Sequence, residues 1–186
     1  MNNDALEIFD FWFKEIQSKQ WFKKDNEFDT LIIKRFSQKH NLAINGKFDT
    51  WKKNPYESLA YIILIDQFSR NMFREDPRSY KYDYMSLNVS KKGIKSMFLN
   101  EFNSLDHKFF YILPLIHSEN IKDQTQAIEL ANTELKDHKN FNEIKKFFDR
   151  HKEIIQKFKR FPHRNKTLNR ESSYKEIEFL KTPFSS

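Results

Sequence analysis

Cysteine is absent from this chain of 186 residues. Its absence excludes disulfides, thiol nucleophiles and zinc or iron–sulfur sites that need Cys ligands. Glycine is almost absent as well, since Gly46 and Gly93 are the two that occur. Nucleotide-binding folds built on glycine-rich phosphate loops are therefore excluded. The chain also contains no G-x-S-x-G elbow and no His-Glu-x-x-His motif, the patterns of two large hydrolase classes.

Long apolar runs are also missing. No segment approaches the length of about eighteen apolar residues that a membrane span requires. The chain begins Met1-Asn2-Asn3-Asp4, which lacks the basic start of a signal peptide. We therefore expect a cytoplasmic protein with no membrane partner.

What the chain has in abundance is phenylalanine, at 20 residues. A buried aromatic ring removes a large apolar area from water, so 38% hydrophobic residues are enough for the core of one domain. The net charge of +7 is concentrated near the end, where ten Lys or Arg and two acidic residues lie between Lys145 and Arg170. Such a local basic segment favours anionic partners.

Apolar residues recur at helical spacing, and no segment alternates with the period of a strand. The clearest helix begins at Phe141 and ends near Phe158, with apolar residues three and four apart over five turns. Asn54-Pro55 predicts an N-cap followed by Pro at the first helical position. The sequence therefore predicts an all-α fold, a single domain of antiparallel helical hairpins stacked in order over residues 1–186.

Several helix ends are predicted from local signals. Ser173 and Glu176 form a capping box that opens a short last helix. Gly93 suits a C-cap, Pro114 should end or kink its helix, and Ser118 should cap the next one. Residues 41–54 are predicted to form a loop, and residues 159–186 a loop plus a short helix packed on the rest of the domain.

Three segments place costly polar groups beside strongly apolar sequence. The first, Asp66 to Asn71, continues an apolar helix and stacks Asp66 under Arg70 and Gln67 under Asn71, both at i, i+4. Such a face is either a satisfied internal ion pair or the floor of a pocket. Buried polar groups are normally paired for structural reasons, so the ion pair is the slightly stronger of these two interpretations.

The second segment is His117-Ser118-Glu119. A His-x-Glu triplet occurs in zinc deaminases, but those enzymes need a Pro-Cys-x-x-Cys partner that this chain lacks. If Ser118 caps the following helix and Glu119 lies in its first turn, both are explained without chemistry. His117 is left as the residue to test.

The third segment runs from Phe158 to Asn165 and on to Arg170. Its cations alternate with two aromatic residues that must be buried, and Arg side chains recognise carboxylate or phosphate oxygens bidentately. The alternative is a solvated basic turn. His151, just upstream on an apolar stripe, is either a satisfied core histidine or a residue that orients this loop.

Four motifs in this order resemble the bacterial family known as domain of unknown function 924. They are Phe11-Trp12-Phe13, the run from Ile65 to Arg74, His117-Ser118-Glu119, and His151 followed by the run from Arg160 to Asn165. The resemblance covers nearly the whole chain. It implies a helical fold similar to tetratricopeptide repeats, a right-handed superhelix with a concave face, and it implies no activity.

The sequence departs from the family pattern at three positions. The family usually has Pro where Ser69 stands, and Gly where Lys159 and Asn169 stand. The two missing glycines bear on the geometry of the loop that carries Arg160 to Arg170.

The leading functional hypothesis is a pocket for a small anionic ligand, formed where the three polar segments meet. The candidate ligand-binding residues are Asp66, Gln67, Arg70, Asn71, His117, Glu119, His151, Arg160, His163, Arg164, Asn165 and Arg170. No cofactor and no metal is predicted, and no catalytic residue is assigned.

Three alternatives stay open. An enzyme in the same pocket, hydrolase-like or metal-assisted, would use Asp66, Glu119 or a histidine as acid or base. A protein-interaction module is suggested by the tetratricopeptide-like architecture alone. Nucleic-acid binding by the segment from Lys145 to Arg170 ranks last, because its lysines also suit a solvated helix face.

Overall fold

The computed structural model describes residues 1–182, and this part of the chain contains no β-strand. Its main helices are α1 (Asn3–Asp10), α2 (Asn26–Ile44), α3 (Pro55–Ile62), α4 (Asp83–Lys95), α5 (Leu105–His117), α6 (Ile121–Glu134), α7 (Phe141–Phe158) and α8 (Tyr174–Leu180). The predicted all-α, single-domain fold is confirmed. Within the described residues, none of these helices is both long and apolar enough to cross a membrane. The tetratricopeptide-like superhelix stays a prediction, and the last four residues of the predicted C-terminal segment lie outside the described part.

Two of the predicted helix starts are formed by the expected capping bonds. The Asn54 side chain accepts hydrogen bonds from the backbone N–H groups of Tyr56 and Glu57, and Pro55 opens α3. At α8, both bonds of the capping box between Ser173 and Glu176 are present. These signals were readable from the sequence because each depends on residues only two or three apart.

The structure differs from four other boundary predictions, in whole or in part. Helix α2 continues to Ile44 into the predicted loop, and α4 passes through Gly93 to Lys95. Helix α5 runs beyond Pro114 to His117, because burial of every residue from Phe109 to Ile116 outweighs the one backbone hydrogen bond that proline removes. Asn120, not Ser118, caps α6.

Helix α3 and its continuation are the most buried part of the molecule. The chain passes from α3 through a wide π-helical turn, Ile63–Gln67, into a short helix, Phe68–Met72. Every residue from Ser58 to Ser69 is buried, including Asp66 and Gln67. Because π-turns often occur at functional sites, the side chains around this buried polar pair are candidates for such a site.

The C-terminal segment packs against α7. Helix α7 buries one stripe, as its apolar spacing predicted, and Ile154 and Ile155 from its last turns form a small cluster with Phe161 and Phe179. Phe161 is fully buried and Phe179 belongs to α8. The loop between α7 and α8 is therefore held at both ends by apolar contacts, which brings its polar residues back toward the centre of the chain.

Candidate functional site

A pocket of about 290 Å³ lies where the three polar segments meet. We call it the arginine pocket, and it is lined by Arg70, Arg74, Glu75, Ser79, Tyr80, His117, Phe147, His151, His163 and Arg164. Each of the three segments singled out in the sequence contributes to this wall. Five of the twelve predicted ligand-binding residues line it, namely Arg70, His117, His151, His163 and Arg164.

Asp66 lies directly behind the pocket wall and is fully buried. One carboxylate oxygen, Oδ1, is 2.9 Å from Nδ1 of His117 and 3.2 Å from the guanidinium of Arg70. The other accepts a 2.6 Å hydrogen bond from the Gln67 side chain. Burial by itself would raise the pKa of Asp66, but Arg70 and His117 outweigh it and hold the pKa well below its ordinary value. The predicted Asp66–Arg70 pair is therefore present, as a buried ion pair that supports a pocket.

Asp83, at the start of α4, binds two of the three arginines of the pocket. Its carboxylate accepts hydrogen bonds from both terminal nitrogens of Arg70, at 3.1 and 3.0 Å. Burial opposes the charge of Arg70, yet Asp66 and Asp83 together raise its pKa above the ordinary value. Arg164 reaches the same Asp83 carboxylate only through one contact of 3.4 Å. The shared carboxylate thus compensates Arg70 well and Arg164 poorly.

Arg164 is a buried cation with an incomplete set of partners. Its side chain is 8% exposed, and its guanidinium lies between the rings of Tyr80 and Phe161, at 4.6 and 4.5 Å from their centroids. Its Nε is buried and makes no hydrogen bond among the described residues. Burial lowers the pKa of Arg164 despite Asp83, and Arg70 lowers it further. Buried charges are normally fully paired, so one long contact to Asp83 leaves this side chain incompletely compensated.

The third arginine, Arg74, is anchored to α2. Its Nε and one terminal nitrogen donate to the two carboxylate oxygens of Asp29 at 2.6 and 2.7 Å. Asn71 donates to the same carboxylate at 2.8 Å. Asn71 therefore supports the wall and does not pair with Gln67, because the carboxylate from α2 is a better acceptor for its amide than a neighbouring amide.

Glu119 connects the C-terminal loop to the segment between α5 and α6. Its carboxylate accepts two hydrogen bonds from the Arg170 guanidinium, at 2.8 and 3.0 Å, and one from the backbone N–H of Phe161 at 2.8 Å. Burial would raise the pKa of Glu119, but Arg170 and this N–H lower it overall. Glu119 is thus a docking residue for the loop, and its proposed role in the first turn of a helix is wrong.

Glu176 of α8 holds the same loop from the other side. Arg160 donates to both of its carboxylate oxygens, at 2.7 and 2.9 Å, and Asn165 donates to one of them at 3.3 Å. Asn165 also accepts a 3.0 Å bond from Arg170. Arg160, Asn165 and Arg170 therefore lie outside the pocket wall and position Arg164 within it.

The histidines of the pocket come from two helices and the loop. His151 on α7 is 2.9 Å, through Nδ1, from the carbonyl oxygen of Phe147, and its ring lies 5.3 Å from that of Phe161. Burial is the main reason that the pKa of His151 falls to about 3. Burial, with Arg70, also lowers the pKa of His117. These two imidazoles are therefore neutral near pH 7.

Sequence reasoning missed half of the pocket wall. Arg74, Glu75, Ser79, Tyr80 and Phe147 also line the pocket and were not among the predicted ligand-binding residues. The signal that could have found Arg74 is its position one turn after Arg70, on the same side of the chain. Among residues 1–182, no three His, Asp or Glu side chains are grouped as in a metal site.

A second concavity of about 460 Å³ opens between Gln17 and Asp25. Its lining residues are all exposed or half-buried. It therefore lacks the buried charges that distinguish the arginine pocket.

Known proteins resemble the chain in sequence and in structure. The family described as bacterial proteins of unknown function, DUF924, matches residues 8–184. The solved structure of ATU0120, a protein of unknown function from Agrobacterium tumefaciens, is 32% identical and superposes with a TM-score of 0.85. That match covers 95% of this chain and 96% of the other. No curated protein matches. This chain therefore belongs to the DUF924 family.

Proposed function

We propose that this protein binds a small anionic molecule in the arginine pocket. The observation that carries the proposal is the incomplete pairing of Arg164, a buried guanidinium with one long ion-pair contact and an unbonded Nε. A bound anion would accept from the other terminal nitrogen of Arg164, which makes no hydrogen bond among the described residues, and charge-assisted hydrogen bonds of this kind are about twice as strong as neutral ones.

The donors that remain in the pocket suit an oxyanion. Arg74 uses Nε and one terminal nitrogen on Asp29, and Arg164 uses one terminal nitrogen on Asp83. Each guanidinium has five N–H donors in a fork that matches carboxylate and phosphate oxygens. Both arginines therefore keep donors for a ligand while their own acidic partners hold them in place.

The size and walls of the pocket indicate a small ligand. Its volume of about 290 Å³ is at the lower end of the range for small-molecule sites. Tyr80 and Phe147 add aromatic surface beside the polar groups. This combination favours a compact anion with a short apolar or planar part.

Nucleic-acid binding is less favoured, because arginines of the segment from Lys145 to Arg170 form ion pairs with acidic residues of the same chain. Arg160 pairs with Glu176 and Arg170 with Glu119. Lys145 pairs with Asp149 along the helix surface. Arg160 and Arg170 are therefore engaged within the fold, and it is mainly the lysines of the segment that remain at the surface for phosphate backbones.

The proposal predicts that small phosphates or carboxylates stabilise the protein and that Arg164→Gln removes the effect. A ligand at a hundredfold its Kd adds about 2.7 kcal/mol, which corresponds to roughly 5–10 °C in Tm for a domain of this size. The measurement is a thermal-shift screen of metabolite anions, followed by calorimetric titration of each hit.

Arg78→Gln is the matched control. It removes the same charge from a neighbouring exposed side chain that pairs with Asp76 outside the pocket wall. Arg164→Lys keeps the charge and loses the fork, so we expect it to bind at least tenfold more weakly than the wild type. Anion affinities unchanged in Arg164→Gln would disprove the proposed site.

A further inference from the structure

The hydrogen bonds of Nδ1 in His117 and His151 determine whether Nε2 of each ring is a donor or an acceptor toward the arginine pocket. Nδ1 of His117 lies 2.9 Å from Asp66 Oδ1. An ionised carboxylate can only accept, so His117 carries its proton on Nδ1 and donates it to Asp66. Nε2 makes no hydrogen bond to residues 1–182, and His117 lines the pocket. Its Nε2 therefore offers a lone pair to whatever binds there.

His151 is arranged in the same way. Its Nδ1 lies 2.9 Å from the Phe147 carbonyl oxygen, which is also an acceptor, so Nδ1 carries the proton. His151 lines the same pocket, and its Nε2 likewise has no partner in the described part of the chain. Two acceptor nitrogens thus stand beside the guanidinium donors of Arg70, Arg74 and Arg164.

His138 shows what a purely structural histidine looks like in this protein. Its Nε2 donates to Asp106 Oδ1 at 3.0 Å, and its Nδ1 accepts from the backbone N–H of Asn140 at 3.0 Å. Both ring nitrogens are used within the fold, outside the arginine pocket. His117 and His151 differ from it, because each lines the pocket and has a hydrogen bond at Nδ1 alone among the described residues.

An acceptor lone pair beside arginines discriminates between anions. A fully deprotonated oxyanion would meet the lone pair with its own electron pairs, which leaves both groups unpaired and costs binding energy. An oxyanion that still carries a proton can donate it to Nε2 while its other oxygens accept from arginine. Both rings are neutral near pH 7, so each Nε2 remains an acceptor that needs a proton from the ligand.

We propose that the arginine pocket is selective for a protonated tetrahedral oxyanion, namely phosphate or the monoanion of a phosphate monoester, and rejects sulfate. This inference rests on the proposed anion-binding function. Sulfate has the same shape as phosphate and carries no proton near neutral pH. Sites that hydrogen-bond a ligand proton reject analogues that lack it by large factors.

The test is calorimetric titration of inorganic phosphate, methyl phosphate and sulfate near pH 7 at constant ionic strength. We expect phosphate to bind the wild type at least tenfold more tightly than sulfate. Inorganic and methyl phosphate together separate a site for free phosphate from one for a phosphate monoester. Either preference is consistent with the inference, since both ligands present the same protonated group.

The variants remove the acceptors and keep the structural bonds. In His117→Asn and His151→Asn, the Asn amide nitrogen takes the place of Nδ1 and still donates to Asp66 or to the Phe147 carbonyl. We expect the double variant to bring the phosphate-to-sulfate affinity ratio close to one. His138→Gln, in which the amide can replace Nε2 opposite Asp106, should keep the wild-type ratio.

The outcomes separate the two proposals. Equal binding of phosphate and sulfate by the wild type would overturn the selectivity and leave the anion pocket standing. A preference for phosphate that survives in the double variant would also overturn it. If no phosphate, sulfate or carboxylate binds at all, the proposed function itself is wrong.

Discussion

Lys159 ends α7 with its backbone in the left-handed region, at φ 62°. Asn169 has φ 52°, so both positions where the family resemblance leads one to expect glycine keep a glycine-like backbone. For a residue with a Cβ this conformation costs about 1–2 kcal/mol, while Asn tolerates it better because its side chain can hydrogen-bond locally. The loop that carries Arg164 is therefore maintained by its contacts in spite of local strain.

This strain predicts that Lys159→Gly stabilises the protein. Relief of the left-handed strain exceeds the extra entropy that glycine gains in the unfolded chain, for a net gain of about 0.5–1 kcal/mol. The measurement is urea unfolding of wild type and variant, together with Tm. Asn169→Gly is the control and should change stability little. A Lys159→Gly protein no more stable than the wild type would show that the position is unstrained.

Gly93 fixes how closely α4 can approach α5. A Cβ built on Gly93 would lie 1.8 Å from the hydroxyl oxygen of Tyr111 and 2.9 Å from the Phe98 ring. Tyr111 is fully buried and its hydroxyl is 3.0 Å from that of Ser58, so it cannot simply move aside. This close contact explains a glycine inside a helix, where glycine costs about 1 kcal/mol relative to alanine.

We therefore predict that Gly93→Ala destabilises the protein by about 1–3 kcal/mol, despite the better helix propensity of alanine. Tyr111→Phe removes the oxygen that the new methyl would meet. In a double-mutant cycle, Gly93→Ala should cost less in the Tyr111→Phe background than in the wild type. Additive effects of the two substitutions would argue against this contact.

For the molecule as a whole, buried histidines set the response to acid. Burial lowers the pKa of His40 to about 4 and, as the main cause, that of His151 to about 3. The unfolded chain takes up these protons near its ordinary pKa of about 6.5, before the folded protein does. The contribution of these two histidines to the free energy of unfolding is thus fully present above about pH 6.5 and is lost as the pH falls toward 4.

We predict that the free energy of unfolding falls by roughly 2 kcal/mol for each of these histidines between about pH 7 and pH 5. Urea unfolding at both pH values measures the change. His40→Gln can keep a donor toward the Ser69 hydroxyl, which lies 2.8 Å from His40 Nε2, and should lose less stability over this range. An equal loss in wild type and variant would assign the acid sensitivity to other groups.

Sequence reasoning succeeded where the physics is local. The Asn54 cap and the capping box of Ser173 and Glu176 involve residues two or three apart, so the residue types were sufficient. The apolar stripe of α7 follows from the geometry of one helix. The same approach did not find that the helices continue past Gly93 and Pro114, because the energy that decides those positions comes from packing against other helices.

The sequence by itself determined that the protein is helical, where its most buried helix begins, and which three segments carry the unusual polar groups. Only the tertiary structure decided which of those groups face a pocket. Glu119, Arg160 and Arg170 position the loop, while Arg164 is left short of partners because Arg70 takes both oxygens of Asp83. A charge pair between residues such as Arg164 and Asp83, 81 positions apart, leaves no periodic signal in the chain, since it depends on how the helices pack.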